Sequence, residues 1–242
     1  MNASLLTSLT LLSVVLSACT MVPAEEAIDE SAFDQVKYNR YVDARNDAIS
    51  VDARVTAADR LSATPTDETA TLNGAYAIST YNGTESGPTP DLTGEMRMDV
   101  DFGAGTVSGT LHNSYTDYDY SGETHVNELD GSVGFSGSID MDPEGGFYDS
   151  LNSTQWQIEA DGAGTFVDSP PNSDEAITYR LDFDINGDFF DSSSVGTVNG
   201  VGEVGDLASG GMIEGNLDVT SDNDSLIYDI TSGEYFVYEL AD

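Results

Sequence analysis

Basic residues are almost missing from this chain. Seven Lys and Arg stand against 44 Asp and Glu, for a formal net charge of −37. A surface this acidic repels DNA, RNA and anionic lipid headgroups, which excludes nucleic acid as a partner. It favours solubility in a salty medium, where screening weakens self-repulsion; the alternative is attraction to a basic partner or to divalent cations. Cysteine is nearly absent too. Cys19 stands alone, so an intramolecular disulfide and a Cys-based metal cage are both excluded. Two histidines, His112 and His125, are too few for a three-histidine zinc site. There is no nucleophile elbow and no phosphate-cradling glycine loop followed by Lys. Carboxylate pairs such as Asp117 and Asp119 are too plentiful to single out a general acid and base. No catalytic residue and no metal ligand is assigned, and nothing supports an enzyme.

What is present begins with an export signal. Residues 1–18 read as a signal peptide rather than part of the fold. The apolar run 5–16 is too short to cross a bilayer as a helix. It ends in Leu16-Ser17-Ala18-Cys19, which resembles a bacterial lipobox. The resemblance implies a diacylglyceryl group on the Cys19 thiol, cleavage before it, and an N-acyl lipid on the new terminus. No other cofactor is expected. Thr20 stands where enteric lipoproteins carry an inner-membrane retention Asp, which points to the outer membrane, on its periplasmic face or at the cell surface. Met1-Asn2-Ala3-Ser4 carry no Lys or Arg; either the amino terminus supplies the positive charge or the true start lies upstream.

Residues 19–30 are acidic and Ala-rich, with Pro23 near the start, and read as a tether. From 31 to 63 the pattern becomes helical. Phe33, Val36, Tyr41, Ala44, Ala48, Val51, Val55, Ala58 and Leu61 fall at spacings near three and four. Ser31 with Asp34 resembles a capping box. Five of the seven basic residues lie here: Lys37, Arg40, Arg45, Arg54 and Arg60. Lys37 with Asp34 and Arg40 with Asp43 have helical spacing, which predicts a solvated, salt-bridged stalk. The alternative is a basic face docked on an acidic barrel or on lipid headgroups. Residues 64–71 read as a polar linker.

From residue 72 to 242 the period changes to two. Met96, Met98, Val100 and Phe102 alternate with Arg97, Asp99 and Asp101; after Gly103-Ala104-Gly105, Val107 and Leu111 alternate with Thr106, Ser108 and Thr110. One face is wet, the other buried, and the glycine turn is a hairpin signal. Tyr179, Leu181, Phe183 and Ile185 form a later inward face, as do Val133, Phe135, Gly137 and Ile139, and Ile213, Gly215, Leu217 and Val219. Strands are predicted over 72–81, 92–102, 105–115, 129–140, 154–160, 177–190, 195–204, 211–220, 226–230 and 234–240. The fold class is all-β: an eight-stranded antiparallel β-barrel, or one of up to ten strands, preceded by a signal peptide and one long N-terminal helix. Asp182-Phe183-Asp184-Ile185-Asn186-Gly187 matches the start of an EF-hand loop, but Ser193 occupies the twelfth position, where a bidentate Glu belongs. The alternation there fits a strand.

Val100-Asp101-Phe102-Gly103-Ala104-Gly105-Thr106-Val107-Ser108-Gly109 is similar to the strand–turn–strand signature of the transferrin-binding protein B-like barrels, eight-stranded domains of Gram-negative surface lipoproteins. Ile185-Asn186-Gly187-Asp188-Phe189-Phe190, with the later Gly210-Gly211-Met212-Ile213-Glu214-Gly215, resembles the family's second signature; Asp191 stands where Gly is common. The resemblance spans about residues 72–220 and leaves 226–240 as an extra hairpin. It implies a lipid-anchored protein that captures a nutrient (metal or haem) or a protein ligand. No transferrin-contacting residue carries over.

Long loops are predicted at 112–128, 141–153 and 162–176, where binding residues usually lie. His112, Tyr115, Tyr118, Tyr120 and His125 in or beside the first are the candidate ligand-binding residues. Trp156 reads as a core or barrel-end residue. The alternative to ligand capture is a structural or envelope-interaction lipoprotein with no small ligand.

Overall fold

The structure is a computed structural model that describes residues 34–56, 59–61, 69–81, 83, 89–120, 123–142, 155–169, 176–198, 200–221 and 224–241. The signal peptide, Cys19, the tether and Ser31 lie outside them. Helix α1 spans Gln35–Asp52. The strands are β1 (Thr69–Tyr81), β2 (Asp91–Asp101), β3 (Thr106–Tyr120), β4 (Glu123–Leu129), β5 (Val133–Asp142), β6 (Gln155–Asp168), β7 (Ile177–Asp191), β8 (Thr197–Val198), β9 (Gly202–Thr220) and β10 (Ser225–Leu240).

Eight of them close into a ring, in the order β10-β1-β2-β3-β5-β6-β7-β9, with β9 pairing back to β10. All these pairings are antiparallel. Closure leaves the ring no free edge. β4 pairs with the far half of β3, and β8 with the start of β9. The eight-stranded antiparallel barrel is the architecture the alternation predicts.

The inward rows are those read from the sequence. Met96, Met98, Val100, Phe102, Val107, Leu111, Val133, Phe135, Ile139, Tyr179, Leu181, Phe183, Ile185, Ile213 and Leu217 are all buried in one core. The barrel lumen is filled with side chains. Glycine makes room where large groups cross it. A Cβ on Gly109 would collide with the Arg97 carbonyl and the Phe135 ring, and one on Gly187 with the Tyr235 hydroxyl. The Asp182–Gly187 run is strand, with Asp182 and Asp184 exposed on the outer face.

Several expectations change. The predicted strands over 226–230 and 234–240 are one, β10, which closes the ring rather than adding a hairpin; its register shift near Ser232 hides the continuity. The segment 195–204 divides between β8 and the start of β9. The predicted loop 162–176 is strand up to Asp168, and the loop 112–128 is a β3–β4 hairpin. The long helix is shorter than its pattern. Asp34 is its N-cap, accepting from the backbone N–H groups of Val36 and Lys37. Ala53 ends it, well before residue 63.

The helix is not a free stalk. Tyr41, Arg45, Ala48 and Val51 are buried against the barrel, whereas Val36, placed on the predicted apolar stripe, is exposed. Ala48, Val51 and Val55 form a second core with Ala75, Phe190, Val195, Val198, Val204, Ala208 and Tyr238 on the outer wall. Farther along, the Leu61 N–H donates to the Phe189 carbonyl (2.8 Å) and the Trp156 N–H to the Leu61 carbonyl (3.1 Å). Residues 34–56 and 59–61 therefore lie as a strap over neighbouring strands of the ring, from β3 across β2, β1, β10 and β9 to β7.

Candidate functional site

The candidate residues of the β3–β4 hairpin divide into two groups. His112 and Tyr115 are brought to the outer wall beneath the N-terminal half of α1. Tyr118 pairs with His125 along the hairpin backbone, and Tyr120 with Glu123. The side chains of Tyr118, Tyr120 and His125 lie outside the described residues.

A bulge makes the first group. Thr93 pairs with Tyr115 and Glu95 with His112, so Gly94 alone opposes Asn113 and Ser114. Asn113 takes φ 46°, a left-handed value that Asn tolerates better than most residues. The extra residue shifts the alternation by one. His112 and Tyr115, three apart, thus share the outer face with Glu95. Inside, the Tyr76 hydroxyl donates to the Ser114 Oγ at 2.7 Å, and both residues are buried. A Cβ on Gly94 would lie 2.7 Å from the Tyr76 ring, so the bulge and the buried tyrosine both need glycine there.

Tyr115 is only 1% exposed. Its ring meets Tyr38 of α1 edge-on with centroids 5.0 Å apart, and Tyr41 at 5.2 Å. Burial, then the charges of Glu128, Glu95 and Asp34, push its hydroxyl pKa up. Beside it, Glu95 lies 3.4 Å from His112 Nε2 and 3.6 Å from Arg40 Nε of the helix. Burial alone would raise the Glu95 carboxyl; hydrogen bonds from His112 and Asn113 and the charges of His112 and Arg40 outweigh it and hold the pKa down. Glu128 on β4 pairs with Lys37 and accepts from the Asp34 N–H at 3.2 Å, next to the positive end of the helix. The basic residues of the helix thus reach to barrel carboxylates: Lys37 pairs with Glu128, not Asp34, and Arg40 with Glu95, not Asp43.

Chemically this is a docking seat. Aromatic edges, two cation–carboxylate contacts and a capped helix end fix α1 to β2, β3 and β4. His112 and Tyr115 are part of that seat. The sequence signal for it was the basic cluster of α1, whose partners lie about 55 and 91 residues away in the chain and so are invisible to local spacing.

Two features escaped sequence reading. Arg60 Nε lies 3.3 Å from Asp188 Oδ2, and both side chains are buried. Burial raises the Asp188 carboxyl pKa, and the Arg60 charge opposes the rise. A groove of about 530 Å³ runs along the outer wall near the β2–β3 turn, lined by Thr71, Asp99, Asp101, Thr106, Ser108 and Glu239 among others. It offers carboxylates and hydroxyls. Trp156 sits at a barrel end as predicted, edge-on to Phe102 at 5.2 Å.

No family model and no curated protein matches the chain. A solved structure similar to it is that of DynF from the dynemicin biosynthesis pathway of Micromonospora chersina, 13% identical, covering 78% of this chain and 88% of that one, with a TM-score of 0.39. A likeness this slight carries no argument about function.

Proposed function

We propose that this chain is a lipid-anchored binding protein of the outer membrane or cell surface, of the kind the transferrin-binding protein B-like barrels represent, capturing a nutrient (metal or haem) or a protein ligand. The observation that carries the reading is Leu16-Ser17-Ala18-Cys19 at the end of an export signal, with the sole cysteine where the lipid is attached. Several acyl chains on Cys19 make the membrane attachment stable, at about 0.8 kcal/mol per buried methylene. The barrel lumen is packed with side chains, so on this reading a ligand meets the rims and outer wall. The β3–β4 hairpin carrying Tyr118, Tyr120 and His125 is the proposed contact, since aromatic residues favour protein interfaces.

The packed lumen also favours a second reading, an envelope-interaction lipoprotein with no small ligand. Two experiments separate these from each other and from neither. Cys19→Ser should move the protein from the membrane to the soluble fraction and abolish palmitate labelling; retention would overturn the anchor. A photo-crosslinker at position 118 should then give a discrete adduct in intact cells. An adduct with a secreted or host-derived protein supports capture, one with a resident envelope protein supports the second reading, and none removes the hairpin from the account.

A further inference from the structure

The ring has no free edge, but the hairpin that leaves it does. Beyond Leu111, β3 parts from β5 and takes β4 as its partner, from Ser114↔Leu129 out to Tyr120↔Glu123. β4 thus stands in line with β5, beside the end of β6. Its contact with β6 is brief. The Asp130 N–H donates to the Val167 carbonyl at 2.8 Å, and the Val167 N–H to the Asp130 carbonyl at 2.9 Å. Asn127 Nδ2 donates to Asp168 Oδ2 at 2.7 Å. Ser169-Pro170-Pro171 come next in the sequence, and neither proline carries an N–H with which β6 could continue the ladder.

The direction of the β4 backbone follows from those bonds. The N–H and C=O of one residue point to the same side of a strand, and successive residues alternate. Asp130 points to β6, so Glu128, Val126 and Thr124 point the same way. Leu129, Asn127, His125 and Glu123 point to β3. The hairpin agrees: Tyr120 and Glu123 flank a two-residue turn, which makes them a mutually bonded pair. Among the described residues, the backbone N–H and C=O of Thr124, Val126 and Glu128 have no backbone partner. Such a row is a template for another strand.

We propose that the outer edge of β4 is a strand-addition site, which takes an extended basic segment of a partner protein, antiparallel to β4, in the place that β6 vacates. This rests on the capture reading and deepens it, by naming the mode of contact and the chemistry of the ligand. Main-chain hydrogen bonds supply affinity at such an edge, and charge selects the partner. Ser114 to Asp130 includes Asp117, Asp119, Glu123, Glu128 and Asp130 and no Lys or Arg. Five of the seven basic residues of the chain belong to the strap, and Lys37 among them already pairs with Glu128. A second copy of this chain, at a formal net charge of −37, is repelled from the edge. A strand rich in Lys or Arg is attracted to it, most strongly at low salt.

The test is residue-resolved hydrogen exchange by NMR on the full chain in nonionic detergent at neutral pH, with a probe peptide of about eight residues alternating Lys and Val. In the free protein the N–H groups of Thr124, Val126 and Glu128 should exchange fast, and those of His125 and Asn127 slowly. Peptide at about ten times its Kd should slow the three outward amides about tenfold. A Glu-Val peptide of the same length should not. N-methylation of the Lys-Val backbone should abolish the effect. So should Val126→Pro, which removes an outward N–H and no bond to β3. Slow exchange at Thr124 and Val126 in the free protein would show the edge already covered and overturn the proposal. Outward amides that the Lys-Val peptide leaves unchanged, or that the acidic peptide slows equally, would also overturn it. If Val126→Pro failed to fold, the N-methylated peptide decides: undiminished slowing by it would overturn strand addition. The position-118 crosslink judges the capture reading separately. A partner adduct there, with outward amides indifferent to the peptide, would keep capture and sink the edge; slowed amides with no adduct in cells would do the reverse.

Discussion

Arg60 and Asp188 meet in a buried ion pair, Nε to Oδ2 at 3.3 Å, where the strap inserts beside the end of β7. Neither residue is near the other in sequence, yet the pair fixes where the strap ends. Phe190, bridged by Arg60, faces the second core, while Phe189, bonded by Leu61, faces the lumen. One short segment thus ties the two cores together.

Removing one partner should be costly. Arg60→Met leaves the Asp188 carboxylate buried without its cation, and should lower stability in urea denaturation by about 3–5 kcal/mol. The double variant Arg60→Met/Asp188→Leu removes both charges and should recover most of that loss. Equal losses in single and double variants would mean that packing, not charge, holds the segment.

The seat under α1 depends on Tyr115. Tyr115→Ala opens a cavity between Tyr38, Tyr41 and the wall, and should cost about 3–5 kcal/mol. Tyr115→Phe keeps the ring contacts and should cost about 1 kcal/mol. Denaturation midpoints of the two variants check this ranking.

Two barrel glycines, one facing inward and one outward, give a sharper contrast. Gly109→Ala would press a methyl group into the Arg97 carbonyl and the Phe135 ring, and should destabilise the barrel by about 1–3 kcal/mol. Gly134→Ala faces solvent, with its nearest contact the Gly109 carbonyl at 3.8 Å, and should stabilise by about 0.4–1 kcal/mol. Thermal unfolding of the pair measures both signs.

The N-terminal seat of the helix should respond to acid. The Glu95 carboxyl is held below its ordinary pKa of 4.5 by His112, Asn113 and Arg40. A lowered carboxyl pKa gives stability present above 4.5 and lost as pH falls through the lowered value. Exchange at the first turns of α1 should therefore quicken as pH falls below 4.5, and Glu95→Gln should remove that acid step while weakening docking at pH 7.

Much of the barrel was legible because period-two alternation is local. Met96 to Phe102 and Tyr179 to Ile185 needed no knowledge of their partners to be placed inward. What the pattern hid were its interruptions. The bulge at Asn113 shifts the phase so that His112 and Tyr115 share a face, and the irregularity near Ser232 splits β10 into two apparent strands. The helix misled in another way: its apolar stripe is thin, and its seat is built from Tyr115, Glu95 and Glu128 on distant strands. Asp34 was read as the second half of a capping box and is itself the cap.

The most direct test of the proposed function is native mass spectrometry, with metal and haem analysis, of the protein released intact from its source envelope. The account expects a chain starting at Cys19, heavier by a diacylglyceryl and an N-acyl group, together with a stoichiometric metal, haem or protein partner. An unacylated chain carrying nothing would contradict both the anchor and the capture role.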